Sequence, residues 1–268
     1  MSKNCQIMQR MKKNYETRSR TFLTRRTPVV IRLDGKAFHT YTRGLNKPFD
    51  EGLIEDMAET AKFLCSEIHG AKLAYTQSDE ISILLTDYDN LGTDAWFDYS
   101  VQKMTSISAS MATAKFNQLR AVRALSNKVY SSNFESWKQV MALTQAFFDS
   151  RVFNIPKEEV GNYFLARQKD AVKNSVAMLA QSLYSHKELF KKNGSDMQDM
   201  CFEKGHNWND LHWSKKRGST IEKRMYEKSL VHYSPKEIME LKETPMRSRW
   251  ETIETPMTFN EEYFKKFV

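Results

Sequence analysis

Leu73-Ala74-Tyr75-Thr76-Gln77-Ser78-Asp79-Glu80-Ile81-Ser82-Ile83-Leu84-Leu85 is two β-prone apolar runs joined by a polar pair, which predicts two strands around a tight turn at Ser78-Asp79. Upstream, residues 50–69 put Leu53, Met57, Ala61 and Leu64 on one stripe, the signature of a helix. Before that helix, Pro28 opens Val29-Val30-Ile31-Arg32-Leu33-Asp34-Gly35, a β-branched run halted by a turn signal, which predicts a buried strand. Downstream, a helix is expected from Asp94 to about Arg120, with Phe97, Val101, Met104, Ser108 and Met111 on one face, and then a strand over 146–153 that stops near Pro156. The order β-α-β-β-α-β is the split βαβ, ferredoxin-like arrangement of an α+β fold. In it the first strand lies antiparallel to the third, so its C-terminal end meets the turn between strands two and three. Asp34 and Asp79, 45 positions apart in the chain, should therefore come together at one edge of the sheet.

Outside this core the pattern is less regular. Residues 157–186 read as a helix, and Asn193-Gly194 as the end of the helical stretch that follows. The tail after Gly218 is charged and mixed. Met8, Met11, Tyr15 and Phe22 recur at helical spacing, which predicts an amphipathic N-terminal helix docked on the body, with Met8, Met11, Met104 and Met111 as core fillers. One domain over 1–268 is expected: a basic helix over 1–27, the sheet core over 28–155, and a mostly helical extension over 156–268.

The chain has 268 residues and a mean hydropathy of −0.63. No apolar run approaches the roughly 18 residues of a membrane helix, so no membrane partner is expected. Three widely spaced cysteines, Cys5, Cys65 and Cys201, fit a reducing cytoplasm and are given no chemistry. The nine glycines are never closer than Gly44 and Gly52, which excludes both G-x-G-x-x-G and G-x-x-x-x-G-K and with them Rossmann and P-loop chemistry. The net charge of +8 points to a polyanionic partner, and residues 1–26 hold eight basic side chains against the single acid Glu16. His206 and His212 lack metal-ligand company and read as packing or surface groups.

Two acids at a sheet edge beside Lys36, Arg43 and Lys47 suit Mg²⁺ and a nucleoside triphosphate, because Mg²⁺ takes carboxylate oxygens, keeps waters and gathers phosphates. The plain alternative is that Asp34 caps a turn while Asp79 and Glu80 are solvated hairpin acids. The runs Ile31-Arg32-Leu33-Asp34-Gly35-Lys36-Ala37-Phe38-His39, Lys47-Pro48 with Asp50, and Tyr75-Thr76-Gln77-Ser78-Asp79-Glu80 resemble the tRNA(His) guanylyltransferase family, most closely its guanylyltransferase-like branch of 3′-to-5′ polymerases. The likeness continues through Trp96-Phe97, Lys103, Phe148-Asp149-Ser150-Arg151, Arg167-Gln168, Asp170, Asn174 and Lys216-Arg217-Gly218, over roughly residues 8–220.

The resemblance implies a polymerase-palm-like sheet whose Asp34, Asp79 and Gly35 carbonyl hold two Mg²⁺, with Glu80 as a third catalytic acid. It assigns Lys36, Ala37, Phe38, His39, Lys47 and Ser78 to the nucleotide, and Lys103, Arg151, Arg167, Asn174, Lys216 and Arg217 to tRNA. The implied reaction activates a tRNA 5′ end with ATP and then attacks it with the 3′-hydroxyl of an incoming GTP or other nucleotide, in a homotetramer. Eukaryotic members carry H-I-N-N-L-Y-N where this chain has Val172-Lys173-Asn174-Ser175-Val176-Ala177-Met178, keeping only Asn174 in register. That departure favours templated repair of 5′-truncated tRNA over addition of one untemplated G. A palm-type nucleotide cyclase and a noncatalytic RNA-binding protein are the rival readings.

Overall fold

The computed structural model describes residues 3–126, 145–227 and 246–268. Strands β1 (Val29–Gly35), β2 (Ala71–Gln77), β3 (Glu80–Leu85), β4 (Phe148–Asn154), β5 (Ser219–Glu227) and β6 (Met246–Glu254) form one antiparallel sheet in the order β4-β1-β3-β2-β5-β6. The first four follow the expected β-α-β-β-α-β order, and β1 pairs with β3 so that Asp34 stands opposite Glu80 and Ile31 opposite Ile83.

Alternation divides each strand between two cores. Val29, Ile31, Leu33, Ile81, Ile83 and Leu85 face helices α3 (Glu51–Glu67) and α4 (Val101–Ser126), joining Met57, Leu64, Met104 and Phe116 in the larger core. α3 starts where Asp50 accepts the Leu53 N–H, an ordinary N-cap. Leu73, Tyr75 and Leu84 face α5 (Lys157–Leu183), together with Phe164 and the C-terminal Phe259 and Phe264. Small residues let α4 lie close to the sheet: the Ser108 and Ser150 hydroxyls are 2.7 Å apart, and the Asn117 amide holds both backbone groups of Ala146.

Three expectations need correction. The extension over 156–268 is helical as far as Arg217, but among the described residues after Gly218, which the sequence left unassigned, β5 and β6 extend the sheet beyond β2. Asn193 does not end a helix; its side chain accepts the Ser195 and Asp196 N–H groups and starts a helix over Gly194–Glu203. The N-terminal helix α1 (Lys3–Met11) exists, but its apolar face is uncovered. Met8 is 73% and Tyr15 67% exposed, and Ile7, Met11 and Phe22 are exposed as well, so Met8 and Met11 are not core fillers. An amphipathic pattern states that a helix has an apolar face, not what covers it. Met104 is buried and Met111 packs against the core, as expected. No helix among the described residues is long and apolar enough to cross a membrane.

Candidate active site

β1 ends and the β2–β3 turn begins at the same edge. The Gly35 N–H donates to the Asp79 carbonyl at 3.1 Å, so the residues carrying Asp34 and Asp79 are tied by main chain. Ser78 takes a left-handed conformation (φ 49°) to make the two-residue turn that presents Asp79. A Cβ on Gly35 would enter the ring of Phe38, which stacks among Tyr41, Phe116 and Phe148. The short helix α2 (Phe38–Tyr41) begins directly after Ala37, itself left-handed at φ 54°. This turn leaves Lys36, Ala37 and His39 exposed beside the two acids and buries the ring of Phe38.

Burial pushes the Asp79 carboxyl above its ordinary range, and the charges of Asp34 and Glu80 push it further, against hydrogen bonds from its own backbone and from Ser78. A buried carboxyl raised in this way, with a second carboxylate beside it, is one whose negative charge a divalent cation would relieve. Among the described residues no three His, Cys, Asp or Glu side chains converge as a metal-binding group. The donor set therefore fits an ion that completes its shell with backbone carbonyl, water and phosphate oxygens, as Mg²⁺ does.

A cleft opens next to this edge between residues 42–50, the start of α3 and α5. One cavity of about 290 Å³ is lined by Asn46, Lys47, Asp50, Ser78 and Met178, and an adjoining smaller one by Asp50, Gln77, Ser78, Asn174 and Lys215. Ser78 lines both cavities, with Lys47 in the first and Asn174 in the second. Lys216 lies near it on a short helix (Trp213–Arg217), its ammonium on the Asn209 carbonyl at 2.6 Å.

The other sequence-selected residues lie elsewhere. Glu80 is 5% exposed and is held by Arg32 at 2.6 Å and Arg167 at 3.3 Å. A carboxylate occupied by two guanidinium groups on the α5 side is a positioning group, not a free acid or base. Arg167 also pairs with Asp170 at 2.7 Å, and Arg32 comes within 3.9 Å of Asp34. Arg151 is exposed beside Asp149, which stands opposite Asp34 across the β1–β4 pair. Lys103 sits at the start of α4, toward the opposite end of the sheet from Asp34. Arg217 does not face RNA: it is 6% exposed, its Nε donates to the Thr255 carbonyl at 2.8 Å, and its Nη2 pairs with Glu254 at 2.5 Å.

The sequence reading gave Arg32 and Asp149 no role. The signal for Arg32 was present, because a lone cation within Val29-Val30-Ile31-Arg32-Leu33 must leave the apolar face and find a counter-charge. Asp149 becomes visible only through strand register.

A palm-like antiparallel sheet that brings two carboxylates to one edge beside a polar cleft is the framework of a nucleotidyltransferase. The model of the tRNAHis guanylyltransferase family (Thg1) matches residues 8–156, and the chain belongs to that family and is an enzyme. A solved bacterial tRNA(His) guanylyltransferase-like protein in complex with ATP is 44% identical, with a TM-score of 0.79 over 98% of each chain. A bacterial tRNA(His) guanylyltransferase-like protein in complex with GTP is 43% identical, with a TM-score of 0.73 over 98% of this chain and 97% of that one. A probable tRNA(His) guanylyltransferase of Drosophila melanogaster is 26% identical over 72% of this chain and 66% of its own length.

Proposed function

We propose that this enzyme adds nucleotides to the 5′ end of tRNA in the 3′-to-5′ direction: the 5′-monophosphate attacks the α-phosphorus of ATP and releases pyrophosphate, and the 3′-hydroxyl of GTP or another nucleotide then attacks the activated 5′-phosphate and releases AMP and a proton. The observation that supports the reading is the main-chain bond from Gly35 to Asp79, which joins the ends of the segments carrying Asp34 and Asp79 next to a cleft lined by Lys47 and Ser78. Asp34, Asp79 and the Gly35 carbonyl would hold two Mg²⁺, which when bound supply Lewis-acid stabilisation of phosphate charge. Lys36, Ala37, Phe38 and His39 form the wall beside the carboxylates, and Lys47 and Ser78 line the cleft where a triphosphate would lie. Lys103, Arg151, Arg167, Asn174 and Lys216 are the candidate tRNA contacts, and Arg217 leaves that set.

Arg32 and Arg167 hold Glu80, and the Arg32 guanidinium, 3.9 Å from Asp34, would help to orient that carboxylate. The loss of the H-I-N-N-L-Y-N run at residues 172–178 favours templated repair of truncated tRNA over single-G addition. A cytoplasmic homotetramer is the assembly expected of this family. Lys47→Ala is the direct test of the cleft: KM for the nucleotide should rise at least about tenfold while tRNA affinity stays constant. An unchanged KM would remove Lys47 from the nucleotide site.

A further inference from the structure

The basic N-terminal segment is fixed to the start of α4 by main chain. The Val101 N–H donates to the Thr21 carbonyl at 2.9 Å, the Leu23 N–H donates to the Tyr99 carbonyl at 3.0 Å, and Phe22 bridges Ser100. The Gln102 amide adds a bond to the Ser19 carbonyl at 2.9 Å. These bonds bring Arg18, Arg20 and Phe22 to the turn that carries Phe97 and Lys103, where the Lys103 ammonium lies 5.7 Å from the Phe97 ring centroid. Phe97, Asp98 and Tyr99 are three consecutive left-handed residues, with φ of 53°, 52° and 54°, a run that costs L-residues roughly 1–2 kcal/mol each. Trp96 and Tyr99 anchor this turn in the core, while Phe97 remains 40% and Phe22 50% exposed.

Arg18, Arg20 and Lys103 are exposed and form no ion pair with a described residue. Of the nearby acids, Asp87 and Asp98 are held by Arg25 at 2.6 and 3.0 Å, and Glu16 stands two residues before Arg18 in the chain. The patch lies far from the carboxylates. The Asn154 side chain holds Thr24 at the Val29 end of β1, and Asp34 is five residues further along, about 17 Å at the usual strand rise.

We propose that this surface docks the body of the RNA substrate, remote from its reacting 5′ end. Arg18, Arg20 and Lys103 take backbone phosphates, and the Phe22 and Phe97 rings pack on ribose or an unstacked base. The proposal rests on the tRNA reading above and extends it to a second contact region. An RNA whose 5′ end lies at Asp34 and Asp79 continues past the sheet as a polyanion, and residues 1–26 carry most of the positive excess of the chain. A basic patch is complementary to RNA phosphates, whereas a second copy of the chain would have to bring an acidic face to it.

The test is an Arg18→Ala/Arg20→Ala double variant, verified as folded by circular dichroism and weighed by light scattering. Its binding to a full-length tRNA transcript and to a 5′-phosphorylated RNA duplex of about four base pairs is titrated at several salt concentrations. Full-length affinity should fall about tenfold at 0.1 M salt, and the slope of log K against log[salt] should become shallower by about two, one for each arginine. Affinity for the short duplex should change by less than about twofold, because four base pairs, about 14 Å at the duplex rise, do not reach a patch about 17 Å from Asp34. Unchanged tRNA affinity and slope would overturn the proposal, as would an equal loss on both RNAs. A fall in the variant's mass would assign the patch to self-association and overturn it as well. Nucleotide incorporation by the unmodified enzyme is measured alongside; its absence, with the expected binding pattern intact, would remove the catalytic reading and leave the docking surface standing.

Discussion

At the scale of single residues, the site depends on side chains whose partners are fixed by the fold. Glu80 is the clearest case. Its carboxylate is buried between Arg32 and Arg167, and both guanidiniums retain some water. Removing one partner of a fully buried pair costs about 3–5 kcal/mol, so Glu80→Ala should cost somewhat less, on the order of 2–3 kcal/mol in urea unfolding. A loss below about 0.5 kcal/mol would mean that the two arginines do not depend on it. Gly35→Ala should also destabilise, by about 1–3 kcal/mol, because the added Cβ drives the Phe38 ring into Tyr41, Phe116 and Phe148. Thermal melts of that variant matching the parent would contradict the packing described for the Gly35 turn. The convergence of Asp34 and Asp79 was legible in the sequence because it follows from strand order alone. The engagement of Glu80 was not, since it requires knowing which residues of α5 lie over β3.

At the scale of elements, the helices and strands with strong periodicity were readable and those that depend on distant partners were not. The strand from Glu80 to Leu85 has the expected bounds. β5 was missed because only its first four residues are buried; Lys223 and the residues after it are exposed and give no strand-like alternation. Its first half exists because β2 offers it an edge, a partner about 145 residues away in sequence. Gly218 marks the junction: at φ 75° it lies so close to the Thr76 carbonyl that a side chain there would clash. Arg217, one residue earlier, fastens this junction to the end of β6. Arg217→Ala should therefore lower stability by about 1–3 kcal/mol and leave the salt dependence of tRNA binding unchanged. Lys216→Ala should do the reverse, making the slope shallower by about one with little change in stability. The two variants, measured by urea unfolding and by salt titration, separate a structural cation from a phosphate-contacting one, and the opposite assignment would contradict the account of this helix.

At the scale of the molecule, the sheet divides the work between its two ends. One end holds the carboxylate pair and the cleft proposed for the nucleotide; the other holds the start of α4 and the basic N-terminal segment bonded to it. Net charge and its uneven distribution were visible in composition, but the site of that charge relative to the acids came only from the bonds linking Thr21 and Leu23 to α4. The exposed apolar face of α1 shows the same limit in another form, since periodicity predicted the helix and could not predict its cover. The central claim is that Asp34 and Asp79 at the β1–β3 edge carry nucleotide addition to a tRNA 5′ end. Its most direct test is incorporation of labelled GTP, with ATP and Mg²⁺, into tRNA(His) transcripts with and without their first 5′ nucleotide, for the unmodified enzyme and for Asp79→Asn. The account predicts extension of the truncated tRNA up to a completed acceptor stem and none by the folded variant. Incorporation by Asp79→Asn at the rate of the parent, or none by the parent on either RNA while it binds both, would contradict it.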